Sequence, residues 1–129
     1  MRPLVRVLLA LWVLAGCQSL AQRQQATALE DTLRSYEAAF RWGAAQQLNG
    51  YRAAQGSQPA PFPKDLRIVH YEVVQGPTRV AGDRAVQTVR IEYLREADQV
   101  VRELLDHQVW VYRPGQMQWQ LHSPLPHFE

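Results

Sequence analysis

The chain has 129 residues, of which 47% are hydrophobic and 20% are charged, and it contains one cysteine. This length is enough for one domain around one core, and a single cysteine excludes a disulfide bond within the chain. The formal net charge of +2 comes from Arg2 and Arg6, which precede the candidate cleavage site described next. The remaining basic and acidic residues balance, which argues against the basic surface that nucleic-acid binding requires, so we expect no nucleic-acid partner.

The N-terminal segment has the layout of a secretory signal. Arg2 and Arg6 are followed by an apolar run at residues 7–13 and then by small residues. The stretch Leu14-Ala15-Gly16-Cys17 resembles the lipobox of bacterial lipoproteins. The resemblance implies cleavage before Cys17, a diacylglycerol on its thiol and acylation of the new N-terminus. Two alternatives are a secretory signal with an incidental cysteine and a short membrane anchor, although a spanning helix needs about 20 apolar residues.

This segment predicts the organisation and the location of the protein. We expect a signal peptide at residues 1–16, a lipidated tether at 17–25 and a single α+β domain at 26–129. Gln18 occupies the position at which an Asp retains such lipoproteins at the inner membrane. The resemblance therefore implies an outer-membrane lipoprotein that faces the periplasm, with the membrane as its partner through Cys17.

Two helices are predicted before the first strand. Apolar residues recur at helical spacing as Leu29, Leu33, Tyr36 and Phe40, which indicates a helix that starts near Thr27 with one apolar face. Gly43 is a natural terminator of this helix. A shorter helix is expected at about 44–54, followed by a proline-rich loop at 55–63.

The second half of the chain changes to the period of β-strands. Alternating apolar residues predict strands at about 66–74, 84–95, 99–112 and 117–122, with a loop that starts at Gln75-Gly76-Pro77. Short connections between consecutive strands favour an antiparallel meander. Because one face of this sheet needs a cover, the first helix is expected to pack on it, which predicts an α+β fold with a curved four-stranded sheet.

The stretch from Tyr36 to Gly43 resembles the helix end of NTF2-like domains, the superfamily of nuclear transport factor 2, ketosteroid isomerase and SnoaL-type cyclases. The element order over about residues 26–123 is similar too, although Ala44 stands where the pattern has Asp. A cystatin-like helix on a sheet is the structural alternative. The whole chain also resembles small uncharacterised proteobacterial lipoproteins whose aromatic-rich last strand ends in Ser-Pro-Leu-Pro.

NTF2-like enzymes place acid and base residues on strands that line a conical pocket. The candidates here are Glu103 and His107, which share one face of the third strand with Leu105 between them. The alternatives are that a bulge flips part of this strand so that both residues meet solvent, or that His107 is a core histidine. Asp106 is adjacent to His107 but points to the opposite face, so the two form no dyad. The four histidines match no zinc spacing, and we expect neither a metal nor a cofactor.

The third strand carries apolar residues on both faces. Val101, Leu105, Val109 and Val111 lie on one face, and Val100, Leu104, Trp110 and Tyr112 lie on the other. If the first set faces the helix, the second set forms an outward patch that fits a partner or a second copy of the chain. Two other aromatics, Tyr93 and Trp119, are expected in the core.

These observations favour a binding or scaffold module of the cell envelope over an enzyme, since no motif fixes a reaction. The expected partner is another envelope protein or a second copy of the chain. The alternative is an NTF2-like small-molecule-binding domain or enzyme with a pocket between helix and sheet.

Overall fold

The computed structural model describes residues 2–53 and 62–129, with side chains described from residue 20 onward. Two helices precede four strands: α1 (Arg2–Arg41), α2 (Ala45–Gly50), β1 (Leu66–Ala81), β2 (Arg84–Arg95), β3 (Arg102–Arg113) and β4 (Gln118–Leu121). The strands form one antiparallel sheet in the order β1-β2-β3-β4. The α+β class and the antiparallel meander are therefore confirmed.

Helix α1 is longer than the sequence predicted. It begins at Arg2, so the segment expected to be a tether at 17–25 is helical and Thr27 lies inside the helix. Residues 18–42 contain neither Gly nor Pro and are rich in Ala, Leu, Gln, Arg and Glu, which all favour helix. The predicted end at Gly43 is confirmed. Gly43 has a φ of +62°, and hydrogen bonds from Gly43 to Phe40 and from Ala44 to Ala39 close a Schellman motif.

Strand β1 continues through the segment that was expected to be a loop. Register shifts on both sides of Gln75 mark bulges in its pairing with β2, and the Gly76-Pro77 peptide bond is cis. Gly76 has a φ of +88°, and a Cβ atom there would lie 2.7 Å from the carbonyl oxygen of Val86. Because pairing with β2 continues past this point to Ala81 and Arg84, the chain turns only at Gly82-Asp83, a two-residue hairpin loop.

The core lies between α1 and the inner face of the sheet. The predicted helix stripe is buried at Leu29, Tyr36 and Phe40. The Tyr36 ring packs edge to face on Trp110, with centroids 5.1 Å apart. The placement of Tyr93 and Trp119 in the core is confirmed, since each is 3% exposed.

The prediction that Val100, Leu104, Trp110 and Tyr112 form an outward patch is wrong for three of these four residues. Trp110 is 1% exposed, and Leu104 and Tyr112 are partly buried against the core. The β2–β3 register pairs Trp110 with the buried Ala85, which fixes the even-numbered residues of β3 as the inner face. Burying large aromatic side chains removes more apolar area from water than burying valines. Val100, which precedes β3, is 51% exposed.

Candidate functional site

A group of polar side chains lies between α1 and the sheet, where an apolar core would be expected. Gln87, Asp106 and Gln108 are 4%, 5% and 1% exposed. We use the name buried polar cluster for these three residues together with the polar groups beside them, namely those of Tyr36, Tyr71 and Trp110. Strand alternation explains the placement, since Asp106 and Gln108 share the inner face of β3 with Trp110.

Gln108 is the centre of the cluster. Its Nε2 donates to Asp106 Oδ2 at 2.8 Å and to Tyr71 Oη at 3.1 Å. Its Oε1 accepts from Gln87 Nε2 at 2.7 Å and from Trp110 Nε1 at 3.1 Å. Both donors and both acceptor positions of this amide are thus used. The network links three strands and fixes the orientation of the side chain.

Two atoms of the cluster have no hydrogen-bond partner among the described residues: Tyr36 Oη and Gln87 Oε1. One can donate and the other can accept. A buried polar group left unpaired costs about 1–3 kcal/mol, so such groups in a native structure call for a functional or solvent partner.

Burial also changes the acid–base properties of the cluster. It raises the pKa of Asp106 to about 6, against smaller opposing effects of the hydrogen bond from Gln108 and the charge of His107. Burial raises the pKa of Tyr36 and of Tyr71 as well, and the Asp106 carboxylate adds to both shifts. The two phenols therefore stay protonated, while the Asp106 carboxyl exchanges its proton near neutral pH. A buried carboxyl of this kind is chemically suited to proton transfer.

The expected acid–base pair lies on the opposite side of the sheet. The Glu103 side chain is 55% exposed, with Oε1 3.6 Å from Arg90 Nε. His107 is also exposed, and its Nδ1 lies 3.0 Å from Thr88 Oγ1. The pocket assignment of Glu103 and His107 is therefore wrong, and the alternative that both meet solvent is confirmed. No bulge is needed, since the β2–β3 register runs without a shift.

Asp106, which the sequence excluded only as a partner of His107, is the acid that is in fact buried. Asp106 and His107 do point to opposite faces, as predicted, but Asp106 lies on the inner one. The signal that could have identified it is its spacing, because Asp106, Gln108 and Trp110 are alternate residues of one strand. A face that carries Trp is favoured as the core face.

The outer face of the sheet combines charges with apolar side chains. Arg90 Nη1 lies 3.1 Å from Glu72 Oε2, and its Nε lies 3.6 Å from Glu103, so three strands share a ladder of charges. Leu105 is 52% exposed beside this ladder, and Val109 is half-buried on the same face. This surface can contact another macromolecule through its exposed apolar side chains and the charged side chains between them.

Among the described residues, open grooves lie on both sides of α1. One, of about 480 Å³, lies between α1 and β4 and is lined by Ser35, Tyr51 and Trp119 among others. The other, of about 720 Å³, lies between Gln22 and Gln25 of α1 and the hairpin tip at 79–83. Neither groove is lined by the buried polar cluster, so the cluster is closed to both.

The described side chains contain no group of three His, Cys, Asp or Glu residues that could hold a metal ion. Within that same part of the chain, no helix is both long and apolar enough to cross a membrane. Comparison of the chain with protein-family models, with curated proteins and with solved structures finds no match. The likeness to NTF2-like domains therefore rests on the residues and the element order given above.

Proposed function

We propose that this protein is a lipoprotein anchored in the bacterial outer membrane through acylated Cys17. Residues 26–129 then act in the periplasm as a binding or scaffold module of the cell envelope. The observation that carries the proposal is the stretch Leu14-Ala15-Gly16-Cys17 behind a charged and apolar segment. Acyl chains on one cysteine supply the two or more lipid signals that stable anchoring requires.

The continuity of α1 supports a stiff connection between anchor and domain. Cys17 lies in the same helix as the core residue Leu29. At 1.5 Å per residue, these two positions are about 18 Å apart along the axis. A helical connection of this kind holds the domain at a defined distance from the membrane, which suits a module that presents a surface to a partner.

The outer face of the sheet is the surface that we assign to partner binding, in place of the buried Trp110 and the partly buried Tyr112. It offers the exposed Leu105 next to the charge ladder at Arg90. Apolar area supplies affinity, while the charges select partners with a complementary pattern. Either another envelope protein or a second copy of this chain fits this description.

A small-molecule-binding function is the second candidate, and the buried polar cluster favours it. Tyr36 Oη and Gln87 Oε1 are unpaired, and Asp106 titrates near neutral pH. In this alternative, Asp106 takes the acid–base role that the sequence assigned to Glu103 and His107. A ligand would have to enter between the helix and the sheet.

Cell fractionation combined with cross-linking tests the proposal. The wild-type chain should sediment with outer membranes, and Cys17→Ser should not. Leu105→Asp should abolish cross-links to a partner, whereas Val73→Asp should retain them, because Val73 is comparably exposed at 44% but pairs with Val89 on the inner face. Equal cross-linking in both variants would refute the assigned surface, and sedimentation of Cys17→Ser with membranes would refute the anchor.

A further inference from the structure

Three segments meet at one end of the domain, which we call the anchor-side end: residues 20–25 of α1, the hairpin tip at 79–84 and the β3–β4 turn at 113–117. The helix and the hairpin tip line one groove. Trp119 Nε1 donates to the carbonyl oxygen of Gln25 at 3.0 Å, and the carbonyl oxygen of Asp83 accepts from the Tyr112 amide at 2.7 Å. This end is therefore one contiguous surface.

The anchor-side end is strongly basic in a chain whose total charge is balanced apart from Arg2 and Arg6. It carries four exposed arginines and one acid, Asp83. The arginines are Arg23, Arg79, Arg84 and Arg113. Among the described residues, none of the four forms an ion pair. The Arg79 guanidinium lies over the Trp119 ring, 5.1 Å from its centroid.

The opposite end of the sheet differs in charge and in pairing. Asp65 and Arg95 approach to 2.7 Å, and Asp98 and Arg102 approach to 2.6 Å. Glu96 is also within reach of an arginine. The cations at that end are thus matched by carboxylates. At the anchor-side end, Arg79 donates to the carbonyl oxygen of Gly82, and Arg23, Arg84 and Arg113 pair with no carboxylate among the described residues, so these three can meet an external anion.

Exposed apolar side chains lie among the arginines of the anchor-side end. Leu20 is 58% exposed, Val80 is 54% exposed and Met117 is 73% exposed. One comes from each of the three segments. Cationic groups interspersed with protruding apolar side chains match the interface of a bilayer, where headgroups carry charge and the acyl boundary lies a few ångströms deeper.

The position of Cys17 brings this surface to the membrane. Gln22, which lines the groove beside the hairpin tip, follows Cys17 by five residues in α1, or about 7.5 Å along the axis. The headgroup layer of one leaflet is about 5–7 Å thick. An acyl group on Cys17 therefore places the anchor-side end at the depth of the headgroups.

We propose that the anchor-side end docks on anionic phospholipid headgroups of the bilayer that holds the acyl chains, so that the domain stands end-on with the turn at 96–99 farthest from the membrane. This inference rests on the proposed acylation of Cys17. Each arginine near an anionic surface shifts the docking equilibrium about fivefold, so loss of three should shift it about a hundredfold.

Fluorescent labels at the two ends of the domain test the orientation. The acylated chain is labelled through Gly82→Cys or Ala97→Cys, in the two exposed turns. It is reconstituted in phosphatidylcholine vesicles that contain about one third phosphatidylglycerol and a lipid with a quencher on its headgroup. The label at position 82 should be quenched strongly and the label at 97 weakly. Equal quenching of the two labels, or stronger quenching at 97, would overturn the proposal.

Charge variants distinguish headgroup binding by the arginines from closeness to the membrane that the anchor alone would cause. Combined Arg23→Gln, Arg84→Gln and Arg113→Gln substitutions should bring the quenching at 82 down toward the level at 97, as should vesicles of phosphatidylcholine alone. Combined Arg34→Gln, Lys64→Gln and Arg67→Gln substitutions remove the same charge elsewhere and should leave the quenching unchanged. Headgroup binding would be refuted if the quenching at 82 stayed the same both after the three arginine substitutions and in vesicles of phosphatidylcholine alone.

The mass of the reconstituted chain distinguishes the two proposals. An unmodified Cys17 would refute the anchor proposed above. The same two labels, compared in a Cys17→Ser chain mixed with the same vesicles so that only position 82 or 97 carries a thiol, would still decide whether the anchor-side end binds anionic headgroups. Strong quenching at 82 alone would support docking without the anchor, and no difference between the labels would refute it.

Discussion

Replacing Asp106 by Asn should stabilise the protein at neutral pH. The Asp106 carboxyl is 5% exposed, and burial raises its pKa to about 6 from 3.8. The folded state therefore holds the proton more tightly than the unfolded state does. Stability is highest when the carboxyl is neutral in both states, below pH 3.8, and is lost as the pH rises through about 6. An Asn cannot ionise, and its Oδ1 can accept the hydrogen bond that Gln108 Nε2 now donates at 2.8 Å.

The size of the effect follows from the shift in pKa. At 1.36 kcal/mol per unit, a shift of this size corresponds to about 3 kcal/mol of lost stability in the wild type at pH 7. Asp106→Asn should recover most of this free energy at pH 7 and almost none at pH 4. Burial lowers the pKa of His122 and so adds a pH dependence of the opposite sign. That effect is common to both proteins and cancels in their difference.

Urea unfolding of the full chain in a mild detergent, followed by tryptophan fluorescence at pH 4, 5, 6 and 7, measures this difference. Asp98→Asn is the matched control, because the hydrogen bond from Arg102 lowers the pKa of Asp98 to about 2. The ionised Asp98 carboxylate therefore stabilises the folded state at neutral pH, and removing its charge should not stabilise the protein at pH 7. A difference between wild type and Asp106→Asn that is constant from pH 4 to pH 7 would refute the assignment of Asp106 as a buried acid.

Three further substitutions test the fold and the placement of the site. Gly76→Ala should destabilise the protein by more than about 1 kcal/mol in urea unfolding, since φ is +88° and a Cβ would meet Val86 at 2.7 Å. Gly82→Ala, in open space, is its control and should be neutral or stabilising. Trp110→Ala should cost about 3–5 kcal/mol as a core truncation, whereas a surface residue would cost almost nothing. Glu103→Gln should change the free energy of unfolding by no more than about 0.5 kcal/mol, since this residue is a solvated partner of the charge ladder.

The sequence predicts most of the architecture because periodicity is a local property. The helix stripe at Leu29, Tyr36 and Phe40 and the clean alternation of β2 placed the core face of those elements correctly. The third strand carries apolar residues on both faces, so alternation alone left its orientation open. The pairing of β3 with β2 decides this orientation, because it places Trp110 opposite the buried Ala85. This orientation places Asp106 on the inner face and exposes Glu103 and His107, so the candidate acid is Asp106.

Two element bounds were missed for a similar reason. Gln75-Gly76-Pro77 is a turn signal when considered alone, yet pairing with β2 carries β1 through it with bulges. The segment 17–25 has the small polar residues of a tether, but its helix propensity is high, and Trp119 Nε1 donates to the carbonyl oxygen of Gln25 at 3.0 Å. A local turn or tether signal therefore does not by itself end an element, because strand pairing outweighs it in β1 and helix propensity outweighs it in α1.

The most direct test of the proposed anchor is the intact mass of the protein extracted from the outer membrane of bacteria that express the full chain. Acylation at Cys17 predicts a chain that begins at Cys17 and carries the added mass of a diacylglyceryl group and an N-terminal acyl chain. A chain that begins elsewhere, or that begins at Cys17 with a free thiol, would contradict the proposed anchor.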